Sequence, residues 1–219
     1  MDRQALVCRN ILEKPDITQR EMAKNMDISL GTVNGLVKEC LAEGYIAEEE
    51  NGKEKHLILL EKGKELLKPY KVDGALIIAA GFGSRFVPLT FETPKGLLEV
   101  FGERMIERQI KQLHEVGIYD ITIVVGYLKE KFEYLIDKFD VKLLYNPEYS
   151  CKNTLATVYR ARKFLKGRNV YILSSDNWMR ENMYHSYECG AWYSAAHEEG
   201  ETKEWCLTFN KKGRISDVN

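Results

Sequence analysis

The run Ala75-Leu76-Ile77-Ile78-Ala79-Ala80 limits the possible folds of this chain more than any other feature. It is continuously apolar, and it runs straight into a loop, Gly81 to Lys95, rich in Gly, Pro and Thr. A strand with one wet face would alternate in polarity, so an unbroken apolar run reads as a parallel strand buried on both faces. The same rhythm continues downstream. The pattern predicts a helix around Arg104–Val116, with Ile106, Ile110 and Leu113 on one side, and then a strand at Ile121–Val125. A helix around Glu130–Phe139, a strand at Val141–Leu144, a helix around Leu155–Leu165 and a strand at Val170–Leu173 follow. Strands alternating with helices define an α/β domain with a largely parallel sheet. Ligands of such sheets bind beyond the carboxyl ends of the strands, so chemistry is expected in the loops after Ala80 and Leu173.

Residues 1 to about 70 read as helices. Ala5, Leu6, Ile11 and Leu12 mark a first amphipathic helix, closed by Pro15. Thr18-x-x-Glu21 has the form of a capping box, opening a short helix with Met22 and Met26. Asp27-Ile28-Ser29 makes a turn, and Ser29 caps a third helix bearing Val33, Leu36, Val37 and Leu41. A hairpin is predicted from Tyr45-Ile46-Ala47, a charged tip Glu48 to Lys55, and the run Leu57-Ile58-Leu59-Leu60. A last helix holding Leu66 and Leu67 ends at Pro69. This is the plan of a winged helix-turn-helix, and T-Q-R-E-M-A (Thr18–Ala23) and L-x-E-K-G-K-E-L-L (Leu59–Leu67) resemble bacterial regulators of that fold. Two domains are therefore expected, residues 1–70 and 72–219.

Charge weakens the usual partner of that fold. Residues 1–70 hold 11 Lys and Arg against 13 Asp and Glu, a net of −2. The recognition helix, Ser29 to Leu41, carries one base, Lys38, beside one acid, Glu39. Non-specific affinity for DNA comes from Lys and Arg facing phosphates. Such a domain would bind DNA as a homodimer through a few placed side chains; a protein contact or a vestigial role stands beside that reading. The whole chain has net charge −1, which implies no pull toward nucleic acid or anionic membrane. The five cysteines, Cys8, Cys40, Cys151, Cys189 and Cys206, form no C-x-x-C and no metal spacing with His. Reduced thiols, no signal peptide and no apolar run of transmembrane length lead to the expectation of a soluble, cytoplasmic protein with no membrane partner.

The loop itself reads Gly81-Phe82-Gly83-Ser84-Arg85-Phe86-Val87-Pro88-Leu89-Thr90-Phe91-Glu92-Thr93-Pro94-Lys95. Glycines after a buried strand let backbone N–H groups approach phosphate oxygens. Arg85 adds a planar fork suited to phosphate, and Lys95 a mobile point charge. This is no dinucleotide fingerprint, because Phe86 stands where the third Gly belongs, and no P-loop, because Lys95 follows Pro94. From these residues alone, a turn that merely joins a strand to a helix fits as well as a phosphate cradle.

A strand ending A-A-G, then x-G-S-R-x-x-P-L-T and T-P-K, resembles the nucleotidyltransferase superfamily that makes nucleotide sugars and related activated compounds. Within it the likeness is to bacterial CTP:phosphocholine cytidylyltransferases, through Gly83–Thr90, Asp120–Phe132, Asp176-Asn177 after a buried strand, and Glu204-Trp205. The resemblance runs from about Ala75 to the end. It implies a Rossmann-like, GT-A type α/β fold with a mostly parallel sheet. It also implies transfer of CMP from CTP to a small phosphorylated substrate, phosphocholine, with Mg²⁺ as cofactor.

By this resemblance the backbone of Ile78, Ala79, Ala80, Gly81 and Gly83 lines base and ribose. Ser84 and Arg85 meet the triphosphate, Lys95 bridges nucleotide and substrate phosphates, and Asn153 and Thr154 touch the nucleoside. Asp176 holds the metal, and Trp205 faces the acceptor. The catalytic set is then Arg85, Lys95 and Asp176. Gly96 stands where the family usually has Ala or Ser, and Ser174-Ser175 where other small pairs are expected.

No Ser/His/Asp or Cys/His set is needed, because a phosphate nucleophile is already ionised at neutral pH. His56, His114, His185 and His197 have no partners at ligand spacing. The aromatic density of Trp178, Tyr184, Tyr187, Trp192 and Tyr193 fits either a trimethylammonium cage or ordinary core. Two alternatives remain: a sugar-1-phosphate nucleotidyltransferase, and a nucleotide-sensing regulator with an incomplete transferase domain. The family generally uses a longer domain, so a second acidic metal ligand is expected beyond Asn219.

Overall fold

The computed structural model describes residues 2–51, 54–195, 197, 199–200, 206–210 and 214–218. The N-terminal elements are α1 (Arg3–Glu13), α2 (Gln19–Asn25), α3 (Leu30–Ala42), the hairpin β1 (Ile46–Asn51) and β2 (Glu54–Leu59), and α4 (Glu61–Leu67). They form the winged helix. Thr18 and Glu21 make a reciprocal capping box at α2, and the Ser29 side chain accepts from Thr32 N at the start of α3. Ala5, Val7, Cys8, Met22, Val33, Val37 and Ile46 fill its core. The hairpin differs from expectation: Glu48, Glu49 and Glu50 lie within β1, opposite Leu57, His56 and Lys55, rather than at a loose tip. A two-stranded ladder satisfies its backbone whatever the exposed side chains are, so the charged segment pairs too.

The second part follows as β3 (Gly74–Ala79), a short hairpin β4 (Glu99–Val100) and β5 (Glu103–Arg104), α5 (Met105–Glu115), β6 (Ile121–Val125), α6 (Tyr134–Phe139) and β7 (Lys142–Tyr145). Next come α7 (Thr154–Arg160), α8 (Arg162–Leu165), β8 (Val170–Ser174) and an antiparallel pair β9 (Leu207–Phe209) and β10 (Ile215–Val218). Four strands make one parallel sheet in the order β7-β6-β3-β8. Successive side chains of a strand point to opposite faces, and both faces are covered. Ala75, Ile77, Ala79, Ile121, Ile123 and Val125 pack against Ile106, Ile110, Leu113 and Leu135 of α5 and α6. Leu76 and Val124 meet Ala161, Phe164 and Leu165 on the other side.

Two predicted helices are broken. A tight 3-10 turn, Lys129–Phe132, entered through Leu128 at φ 46°, precedes α6 and buries Phe132. The segment 155–165 is interrupted at Ala161, which keeps Ala161, Phe164 and Leu165 on the sheet.

The two cores are joined by the segment after β8. Cys189 is packed within the winged-helix core, and Tyr187 lies against it. Arg9 of α1 donates to the Glu188 carboxylate at 3.1 Å and to the Tyr187 carbonyl at 3.2 Å. Glu188 also accepts from the hydroxyl of Tyr171 on β8. Backbone bonds from Glu188 N to Tyr70 O (2.8 Å) and from Val72 N to Ser186 O (2.9 Å) complete the seam.

Candidate active site

Because the chain passes from β3 to β6 and β7 and then returns to β8, the connections reverse direction between β3 and β8. Their carboxyl ends flank the topological switch point, where open parallel sheets bind ligands. The loop Gly81–Lys95 leaves one strand there, and Ser175-Asp176 leaves the other, with Ser175 N donating to Ile78 O at 3.0 Å.

The loop is folded back on itself. Gly83 has φ 65°, a left-handed conformation that favours glycine, and Thr90 Oγ1, buried beneath it, donates to Gly83 O at 2.9 Å. A Cβ on Gly83 would stand 3.0 Å from Thr90 Cγ2 and 3.3 Å from Lys95 Cβ. The two ends of the motif are thus adjacent. Ser84 and Arg85 lie on an exposed turn, and Lys95 opens a short 3-10 turn, Lys95–Leu97.

Lys95 Nζ lies 2.5 Å from Asp176 Oδ2 and 4.5 Å from the centre of the Phe86 ring. Both side chains are about a quarter exposed. Residues 81 positions apart are thereby brought together.

Ala79 and Ala80 are buried at the end of β3. The carbonyl of Ala80 accepts from Tyr127 N at 3.1 Å, while Tyr127 Oη donates to Phe91 O at 3.1 Å, stapling the far side of the loop. The Phe82 ring sits 5.0 Å from Tyr127 and 5.2 Å from Tyr149. That contact brings the segment leading to Asn153 alongside the loop. Asn153 caps α7, accepting from Ala156 N at 3.4 Å, and Thr154 is its exposed first residue.

Glu204 and Trp205 lie outside the described residues. Of the other aromatics, Tyr184 belongs to the sheet core, and Tyr187 packs on the winged helix. Trp178 is half-buried between Phe101 (5.1 Å) and the Arg108 guanidinium (4.8 Å).

Sequence reasoning passed over Gln109, buried on α5. Its Nε2 donates to Ser174 O at 2.8 Å and to Asn177 O at 2.6 Å, on either side of Asp176. A polar residue beside the buried stripe Ile106, Ile110 and Leu113 was the available signal, since buried polar groups need partners.

Among the described residues no three His, Cys, Asp or Glu side chains converge as a metal cage. Asp176 offers a carboxylate at the switch point. One carboxylate beside a glycine-bearing loop suits Mg²⁺, which keeps several waters and takes one or two carboxylates together with substrate phosphates.

The fold and this loop define a nucleotidyl transferase: the sequence model of that family matches residues 74–198, more than half of the chain, which therefore belongs to the family. A winged helix-turn-helix DNA-binding model matches residues 9–47. The choline-phosphate cytidylyltransferase of Streptococcus pneumoniae is 38% identical over 144 residues, 66% of this chain and 62% of that protein. The choline-phosphate cytidylyltransferase of Haemophilus influenzae is 33% identical, over 66% of this chain and 61% of its own length. The 2-aminoethylphosphonate cytidylyltransferase of Lancefieldella rimae is 36% identical, over 64% of this chain and 58% of its length. The solved structure of CTP:phosphocholine cytidylyltransferase from Streptococcus pneumoniae superposes with a TM-score of 0.63, covering 68% of this chain and 64% of that one. The chain thus spans about three fifths of the length of these relatives. No helix among the described residues is long and apolar enough to cross a membrane.

Proposed function

We propose that residues 72–219 form a cytidylyltransferase domain, preceded by a winged helix in residues 1–70, that transfers CMP from CTP to phosphocholine or a similar amine-bearing phosphate. The observation that carries this reading is the Lys95–Asp176 pair at 2.5 Å across the switch point, on a loop of the nucleotidyltransferase pattern. Three relatives, 38%, 33% and 36% identical, are by name cytidylyltransferases of choline phosphate or 2-aminoethylphosphonate.

In the reaction an acceptor phosphate oxygen forms a bond to the α-phosphorus while the bond to the bridging oxygen of pyrophosphate breaks, and the electron pair leaves with pyrophosphate. The acceptor's second pKa is near ~6, so no general base is required. The site supplies alignment and charge neutralisation. Arg85 and Lys95 face the phosphates, and Gly81, Gly83 and Ser84 admit them close to the backbone. Asn153 and Thr154 border the nucleoside. Members of the family commonly use a divalent metal; Asp176 would hold Mg²⁺, which when bound spreads the charge that develops on the phosphoryl oxygens. Cys8, Cys40, Cys151 and Cys189 form no disulfide among the described residues, which suits a reducing, cytoplasmic compartment.

The test is calorimetry with the four nucleoside triphosphates and Mg²⁺, followed by pyrophosphate release with phosphocholine, 2-aminoethylphosphonate and glucose 1-phosphate. CTP should bind selectively, and Asp176→Asn should abolish the Mg²⁺-dependent part of binding while leaving the fold intact. Release with glucose 1-phosphate alone would discard the acceptor. Equal binding of all four nucleotides would discard the cytidylyl assignment.

A further inference from the structure

We propose that Gln109 is a positioning residue for Asp176, holding its carboxylate at the place where the nucleotide-bound metal must meet it. This rests on the cytidylyltransferase reading above. An amide NH₂ group has two hydrogens, and Gln109 spends both on the chain around this one aspartate. One goes to Ser174 O (2.8 Å), at the end of β8, and the other to Asn177 O (2.6 Å), just past Asp176. The chain from 174 to 177 is therefore an arc with both ends pinned to α5, and Asp176 stands on it.

Other residues of α5 grip the same segment but lie downstream. Arg108 Nε donates to Met179 O at 2.5 Å, and Gln112 Nε2 to the same carbonyl at 3.2 Å. Of these side chains, Gln109 alone reaches both sides of Asp176.

The burial of Gln109 argues in the same direction. The residue is 1% exposed, and its Oε1 is buried with no partner among the described residues. An unpaired buried acceptor is unfavourable, and an apolar side chain of the same volume would avoid it. Packing alone would favour methionine at this position; what the amide adds is the fixed arc. A carboxylate held in place meets its cation without first being ordered, and that preorganisation appears as affinity.

The experiment compares Gln109→Met with wild type in the full chain, reading Mn²⁺ binding by electron paramagnetic resonance in the presence of CTP, with thermal unfolding alongside. Gln112→Met, likewise buried and with its side-chain amide bonded to Met179 O rather than beside Asp176, is the control for a purely structural effect. Gln109→Met should raise the Mn²⁺ midpoint at least tenfold with an unfolding temperature close to that of Gln112→Met, which should leave the midpoint within threefold of wild type. Should Gln109→Met fail to fold, Gln109→Asn, long enough to reach one carbonyl only, should give an intermediate rise. A folded Gln109→Met or Gln109→Asn protein with a wild-type midpoint overturns the assignment alone. A wild type whose CTP binding ignores Mn²⁺ overturns the metal role of Asp176 and this inference with it.

Discussion

Gly96 and Ser175 share one space: a Cβ on Gly96 would lie 2.7 Å from both Cβ and Oγ of Ser175 and 3.0 Å from its carbonyl oxygen. They are the chain neighbours of Lys95 and Asp176 and face each other beside that pair. The missing side chain on one makes room for the hydroxymethyl group on the other. Gly96→Ala should therefore destabilise by about 1–3 kcal/mol, the range for overpacking a filled site. Adding Ser175→Gly should recover much of that loss. A double-mutant cycle in thermal unfolding measures the coupling; simple additivity would mean that the two positions do not compensate.

Lys95→Ala should lower kcat/KM by roughly 2–4 kcal/mol of transition-state stabilisation, the usual cost of one preorganised donor or charge. Steady-state pyrophosphate release reads this directly. Activity within threefold of wild type would remove Lys95 from the reaction.

Acid stability should depend on Glu107. Burial pushes its carboxyl up, but hydrogen bonds from Lys138 (2.7 Å) and Tyr134 (2.8 Å) outweigh burial and hold it below the ordinary glutamate value. The Tyr134 hydroxyl, itself pushed up to about 12 chiefly by burial, stays protonated and can donate. A carboxylate with a depressed folded pKa contributes stability that is complete above its unfolded pKa of about 4.3 and is lost as pH falls through the folded value. The unfolding temperature should thus drop below about pH 5, and in Glu107→Gln the Glu107 share of that drop should be gone. Parallel pH profiles of the two proteins would place the acid sensitivity elsewhere.

DNA binding by the full chain should be weak. On the structure Lys38 and Glu39 are exposed side by side on α3, and Glu48, Glu49 and Glu50 are exposed along β1. Affinity for random duplex near physiological salt should be weaker than ~10⁻⁵ M, at the weak end of non-specific binding. Fluorescence anisotropy showing submicromolar binding would mean that a few well-placed bases outweigh the net charge.

Local chemistry made much of this protein legible before any coordinates. A continuous apolar run needs two covered faces, so Ala75–Ala80 announced a buried parallel strand; Thr18 and Glu21 cap a helix because their side chains reach backbone groups only three residues away. Each depends on neighbours in the chain. The helix breaks at Leu128–Phe132 and at Ala161 were not legible, because they answer to a sheet assembled from distant strands. The same is true of the site. Gly83, Arg85 and Lys95 declared themselves as a motif, but the meeting of Lys95 with Asp176 required β8 to add to the far side of β3. The fit of Gly96 to Ser175 and the bracket that Gln109 makes around Asp176 join segments with no local relationship. So does the packing of Cys189 into the winged-helix core. Those contacts follow from strand order and helix placement, which long-range burial decides and no short stretch of sequence encodes.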